Sequence, residues 1–127
     1  MFETILFPID RSPESREAAE TVAQLAQLHN SRLVILSVVP GPDEGAIEAA
    51  ETLLSRAKAM FAERGLEAEV IEREGMPAFT ICDVADEVEA SLVVMGSRGM
   101  GLTTEGAAES TAHRVIDLSP CPVLIVP

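Results

Sequence analysis

Residues 92–106, Leu-Val-Val-Met-Gly-Ser-Arg-Gly-Met-Gly-Leu-Thr-Thr-Glu-Gly, decide the fold. Leu92 to Met95 is a short apolar run rich in β-branched residues, the composition of a strand buried on both faces. Gly96, Gly99 and Gly101 then break the run, and a helical pattern follows from roughly Ala108 to Leu118, with Ala112, Val115 and Ile116 turned inward. Strand, glycine-rich turn and helix in that order make a βα unit, whose turn crosses the carboxyl end of a parallel sheet.

Working outward, the same unit recurs in both directions. Thr4 to Ile9 and Leu33 to Val39 are apolar runs, Glu67 to Glu72 alternates as a strand with one wetter face at a sheet edge, and Val123 to Val126 completes the set. Between the first two, Ser12-Pro13 offers a cap and a first-turn proline to a helix carrying Ala18, Val22, Leu25 and Ala26. After Pro40-Gly41-Pro42, the positions Ile47, Ala50, Leu54, Ala57 and Phe61 step by three and four toward Gly65. Pro77 opens a third helix with Ile81, Val84, Ala85 and Val88 on one face, and Ser119-Pro120 ends the fourth. The order β-α-β-α-β-α-β-α-β forces parallel pairing with right-handed crossovers. The expectation is one domain over residues 1–127, a three-layer α/β/α sandwich on a five-stranded parallel sheet of Rossmann-like, nucleotide-binding type. Its ligand crevice lies where strand order reverses; with the first and fourth strands there, the loops Asp10 to Ser12 and Gly96 to Gly106 meet.

Composition narrows the partners. Hydrophobic residues make up 47% of the chain but aromatics only 3%, so the core is built from Val, Ile, Leu and Ala. Nine basic against twenty-one acidic residues leave a net charge of −12, with Lys58 the only lysine. No basic stripe exists for nucleic acid, and the negative field disfavours anionic membranes. Cys82 and Cys121 lie far apart in sequence without metal or redox spacing, and read as buried thiols. The start of the chain does not resemble a signal peptide, and no apolar run approaches the ~18 residues of a membrane span; a cytosolic protein is expected.

Chemistry concentrates in the glycine-rich loop. Gly96 and Gly99 let backbone amides approach an anion, the following helix start adds partial positive charge, and Arg98 is placed to pair with a phosphate. No Gly-Lys-Ser/Thr sequence occurs, which excludes a P-loop, and of the acids a phosphoacceptor receiver needs only Asp10 is in place. His29 and His113 have no acid or nucleophile at an orienting spacing. No catalytic residue and no metal set is assigned, and no turnover is expected.

Phe7-Pro8-Ile9-Asp10-Arg11-Ser12, Gly96-Ser97-Arg98-Gly99 and Pro120-Cys121-Pro122-Val123-Leu124-Ile125-Val126 together resemble the universal stress protein family along the whole chain. The family signature is Gly, two residues, Gly, nine residues, then Gly followed by Ser or Thr. Gly96 and Gly99 match it, Met100 to Ala108 are the nine, and Glu109-Ser110 follows, so Glu109 stands where the third glycine belongs. The resemblance implies the fold of adenine nucleotide α-hydrolase-like proteins. In nucleotide-binding members it implies that Pro8, Asp10, Val38, Gly96, Gly99, Ser110 and Thr111 hold ATP or AMP. Pro8, Asp10 and Val38 would lie near base and ribose, and magnesium would enter only with a triphosphate. It further implies a homodimer through the last strand, where Val123 to Val126 would otherwise be a bare apolar edge. Some relatives hydrolyse ATP slowly, yet this chain offers no evident general base for water.

The function expected is a cytosolic stress-response module sensing an adenine nucleotide. Glu109 argues for restraint: a carboxylate starting the last helix would satisfy the amides and dipole that otherwise hold a phosphate. Repulsion of about 1–4 kcal/mol between charges ~4 Å apart would weaken a triphosphate roughly tenfold to several hundredfold and favour AMP. The alternative is a nucleotide-free dimeric scaffold acting through protein partners.

Overall fold

Five apolar runs form the strands β1 (Thr4–Pro8), β2 (Arg32–Val39), β3 (Ala68–Glu74), β4 (Leu92–Gly96) and β5 (Val123–Val126). They alternate with the helices α1 (Pro13–His29), α2 (Glu44–Glu63), α3 (Pro77–Glu87) and α4 (Glu105–Leu118). The computed structural model of the chain describes residues 1–10, 13–96 and 105–127; the expected cap Ser12 lies outside them. Strand order is β3-β2-β1-β4-β5, and every pair is parallel. The chain steps outward from β1 to β3, then returns across the sheet to β4 and β5, so the order reverses between β1 and β4.

Strand alternation divides the core in two. Ile5, Phe7, Ile9, Leu33, Ile35 and Val94 pack beneath α1 and α2. Leu6, Val34, Leu36, Val93 and Met95 pack beneath α3 and α4. The few aromatics are spent where bulk is needed: Phe7 of β1 meets Phe61 of α2 edge to face, at 6.2 Å and 85°.

Local chemistry sets the element ends. Asp43 caps α2 by accepting from the Gly45 amide at 3.0 Å, and the turn that follows the helix places Gly65 at φ 78, the left-handed conformation glycine adopts without penalty. β3 runs to Glu74, two residues past the expected alternating run, because its ladder with β2 continues to Val39↔Glu74. The edge position expected for β3 holds, and the edge is lined with charge: Arg32 pairs with Glu69 and Arg73 with Glu87.

Three sequence expectations need correction. α4 begins at Glu105 rather than Ala108; Ala107 and Ala108 favour the helix, and an acidic residue in its first turn suits the dipole. Ile116 is 51% exposed, whereas Ala112 and Val115 are buried; α4 packs chiefly on α3 and the edge strand β5, and Ile116 turns away from both. Cys82 and Cys121 are half-buried, not buried.

Candidate ligand site at the carboxyl ends of β1 and β4

The site originates in the hydrogen-bonding parity of β1. The Glu3 carbonyl accepts from the Arg32 amide at 2.7 Å, and the Ile9 amide donates to the Leu36 carbonyl at 2.8 Å, so odd positions face β2. The Thr4 carbonyl accepts from the Ser91 amide at 2.8 Å, so even positions face β4. Pro8 therefore turns toward β4 a nitrogen that has no hydrogen to give. The β1–β4 register accordingly ends at Leu6↔Val93, whereas β1–β2 continues to Pro8↔Leu36 and β4–β5 to Gly96↔Val126. The two central strands part above Leu6, and Pro8 and Gly96 flank the opening.

Asp10 follows at the top of β1, half-buried. Its Oδ1 accepts from the Ser15 hydroxyl at 2.8 Å, while its amide donates to the same hydroxyl oxygen at 3.2 Å. This reciprocal pair ties the β1–α1 turn to the first turn of α1. Ser15 carried no mark in the sequence beyond its place in that turn. Val38, one strand over near the end of β2, is half-buried against the α3/α4 side of the core. Thr111 is buried in α4.

Of the expected site residues, Pro8 and Gly96 end the two strands that bound the switch point, Asp10 follows Pro8, Val38 lies near the end of β2, and Thr111 is on the helix that follows β4. Arg98 and Gly99 lie outside the described residues, as does the side chain of Ser110. Because α4 starts at Glu105, Glu109 and Ser110 fall in its second turn, past the four unpaired amides that open a helix. Glu109 is therefore not the residue that begins the final helix, and the dipole argument, which fades beyond the first turn, does not reach it.

His29 stacks edge-on against Phe2 at 5.3 Å, at the opposite end of the sheet, and His113 is exposed on α4. Among the described residues no group of three His, Cys, Asp or Glu side chains is arranged to hold a metal. No helix among them is long and apolar enough to cross a membrane.

A doubly wound parallel sheet whose central strands part over a proline and a glycine defines an α/β domain of the nucleotide-binding type. The profile of the Universal stress protein family matches residues 1–127, and the chain belongs to that family. A universal stress protein of Synechocystis sp. is 59% identical over 136 residues, covering all of this chain and 87% of that protein. Another, from Bacillus subtilis, is 36% identical and covers 99% of both chains. Among solved structures, the universal stress protein of Archaeoglobus fulgidus in complex with dAMP superposes with a TM-score of 0.84 at 25% identity, over the full length of both chains.

Proposed function

We propose that this protein is a cytosolic stress-response module that binds an adenine nucleotide, AMP in preference to ATP, where β1 and β4 part. The observation that carries the reading is the end of the β1–β4 ladder at Leu6↔Val93, below Pro8 and Gly96. Pro8, Asp10 and Val38 would meet base and ribose; Gly96, Arg98, Gly99, Ser110 and Thr111 would follow the phosphate. The relative from Archaeoglobus fulgidus, in complex with a deoxyadenosine monophosphate, supports an adenine monophosphate as guest. A net charge of −12 raises the free energy of every further phosphate charge. That ranks AMP above ATP, with magnesium needed only for the latter.

The reading is of a binding module, not a catalyst, and of a homodimer joined through β5. Leu124 is 37% exposed on that edge strand, and Ile116 and Leu118 of the adjoining α4 are 51% and 46% exposed, an apolar border that a second copy would cover. The same border favours a second reading, a nucleotide-free dimeric scaffold working through protein partners.

Calorimetric titration with AMP, ATP and cyclic AMP, beside sedimentation of the free protein, separates the two. One AMP per chain with ATP weaker by about tenfold or more is expected. Silence toward all three nucleotides in an intact dimer would favour the scaffold, and ATP binding more tightly than AMP would overturn the charge argument.

A further inference from the structure

On the other side of the sheet, α1 packs over β1, β4 and β5 while α2 packs over β2 and β3. The two helices straddle the carboxyl end of β1 and leave a cleft of about 360 Å³. Its floor is Phe7, Ile9 and Phe61, and its walls include Ala19, Ala57 and the 36%-exposed Met60. On α2 the lining residues Leu53, Arg56, Ala57, Met60 and Phe61 recur at helical spacing, one flank of the helix turned toward α1. Arg64 ties the helices together on one side of this space: its guanidinium pairs with Glu20, and its backbone carbonyl accepts from the Gln27 side-chain Nε2 at 2.9 Å.

Two guanidiniums line the cleft. Arg16 and Arg56 are exposed, and among the described residues neither makes an ion pair, whereas Arg32, Arg64 and Arg73 each pair with a glutamate. In a chain with twenty-one acidic residues against nine basic ones, two unpaired arginines against the single carboxylate of Asp10 leave, among the described residues, a local excess of positive charge on this cleft. We propose that the α1/α2 cleft is a second ligand site, for an amphipathic carboxylate whose apolar tail lies along Leu53, Ala57 and Met60, above the buried floor of Phe7, Ile9 and Phe61, and whose head is held by Arg16 and Arg56. A single negative charge is favoured because Asp10 also lines the cleft and the whole chain is strongly acidic; a phosphate monoester would bring nearly two charges into that field. The volume, near the lower end of small-molecule sites, suits a short acyl chain. This site stands apart from the nucleotide reading, since Val38 and Thr111 belong to the α3/α4 side and Asp10 alone is shared.

The test is calorimetric titration of the full chain with octanoate, 1-octanol and acetate, with backbone amide shifts to locate binding. Octanoate should saturate one site, shift the amides of Arg16, Ala19, Leu53, Ala57 and Met60, and bind at least several-fold tighter than 1-octanol or acetate. Arg16→Gln and Arg56→Gln should each weaken octanoate by roughly three- to fivefold and leave 1-octanol unchanged. Ala57→Leu, which fills the cleft, should abolish both. Failure of octanoate to saturate, shifts scattered over the surface, equal affinity for 1-octanol, or indifference to both arginine substitutions would overturn the proposal.

Discussion

Ser15 and Asp10 hold each other across the β1–α1 turn, the serine hydroxyl donating to the carboxylate at 2.8 Å while its oxygen accepts from the Asp10 amide at 3.2 Å. Removing either side chain leaves the other without this partner in a half-buried turn. Ser15→Ala should lower stability to urea by about 1 kcal/mol, and Asp10→Ala by a similar amount. The double variant should lose less than the sum of the two, because the pair acts as a unit. Strict additivity would mean that the two side chains do not support each other.

Pro8 makes a prediction that hydrogen exchange can read. In Pro8→Ala the new amide at position 8 would point toward β4, where the ladder has already ended at Leu6↔Val93. If the missing hydrogen is what stops the ladder, that amide should gain a partner on β4 and be protected about as well as the adjacent Ile9 amide, which is bonded to the Leu36 carbonyl at 2.8 Å. Far faster exchange at position 8 than at Ile9 would show that β1 and β4 part for a reason other than the proline.

The parallel order was legible because the central strands are apolar on both faces and each is followed by a helix-length segment; runs such as Leu33 to Leu36 admit little else. The start of α4 was not, since the inward-facing apolar pattern read from the sequence begins only at Ala112, whereas a helix start depends on caps and first-turn residues that leave no apolar trace. The role of Pro8 needs the pairing register, because composition does not say which neighbour a strand nitrogen faces. Arg16 and Arg56 sit on separate helices, and only the divergence of α1 and α2 brings them to one cleft.

Glu109 distinguishes the two possible starts of α4. In the second turn of a helix that begins at Glu105, glycine is a poor substitute, and Glu109→Gly should cost about 0.5 kcal/mol in urea denaturation. At a helix boundary the same change would be nearly neutral. An unchanged midpoint would place the start of α4 later than Glu105.

Cys82 should be a slow nucleophile. Burial pushes its thiol above the ordinary range, and the charges of Asp83 and Cys121 add to that shift. At pH 8 a smaller fraction is therefore thiolate than in a free cysteine. In a Cys121→Ser background, iodoacetamide should label Cys82 more slowly in the folded chain than in urea. Asp83→Asn should speed the folded rate modestly, while a larger gain from Asp83→Asn than from unfolding would invert the stated order of causes.

Salt and pH should trade places in their effect on stability. At pH 7 the net charge of −12 makes self-repulsion the larger electrostatic contribution, so added sodium chloride should raise the urea midpoint. The ion pairs pull the other way: hydrogen bonds from Arg64, Arg32 and Arg73 hold the carboxyls of Glu20, Glu69 and Glu87 below the usual range. A depressed folded pKa contributes stability above the unfolded value, and that contribution is lost as pH falls through the folded one. Near pH 4.4, where the chain carries no net charge, repulsion is gone while these low-pKa carboxylates remain partly ionised. There the same salt should leave the midpoint unchanged or lower it slightly. A fall with salt at pH 7 would mean that the three exposed pairs outweigh the repulsion among twenty-one acidic side chains.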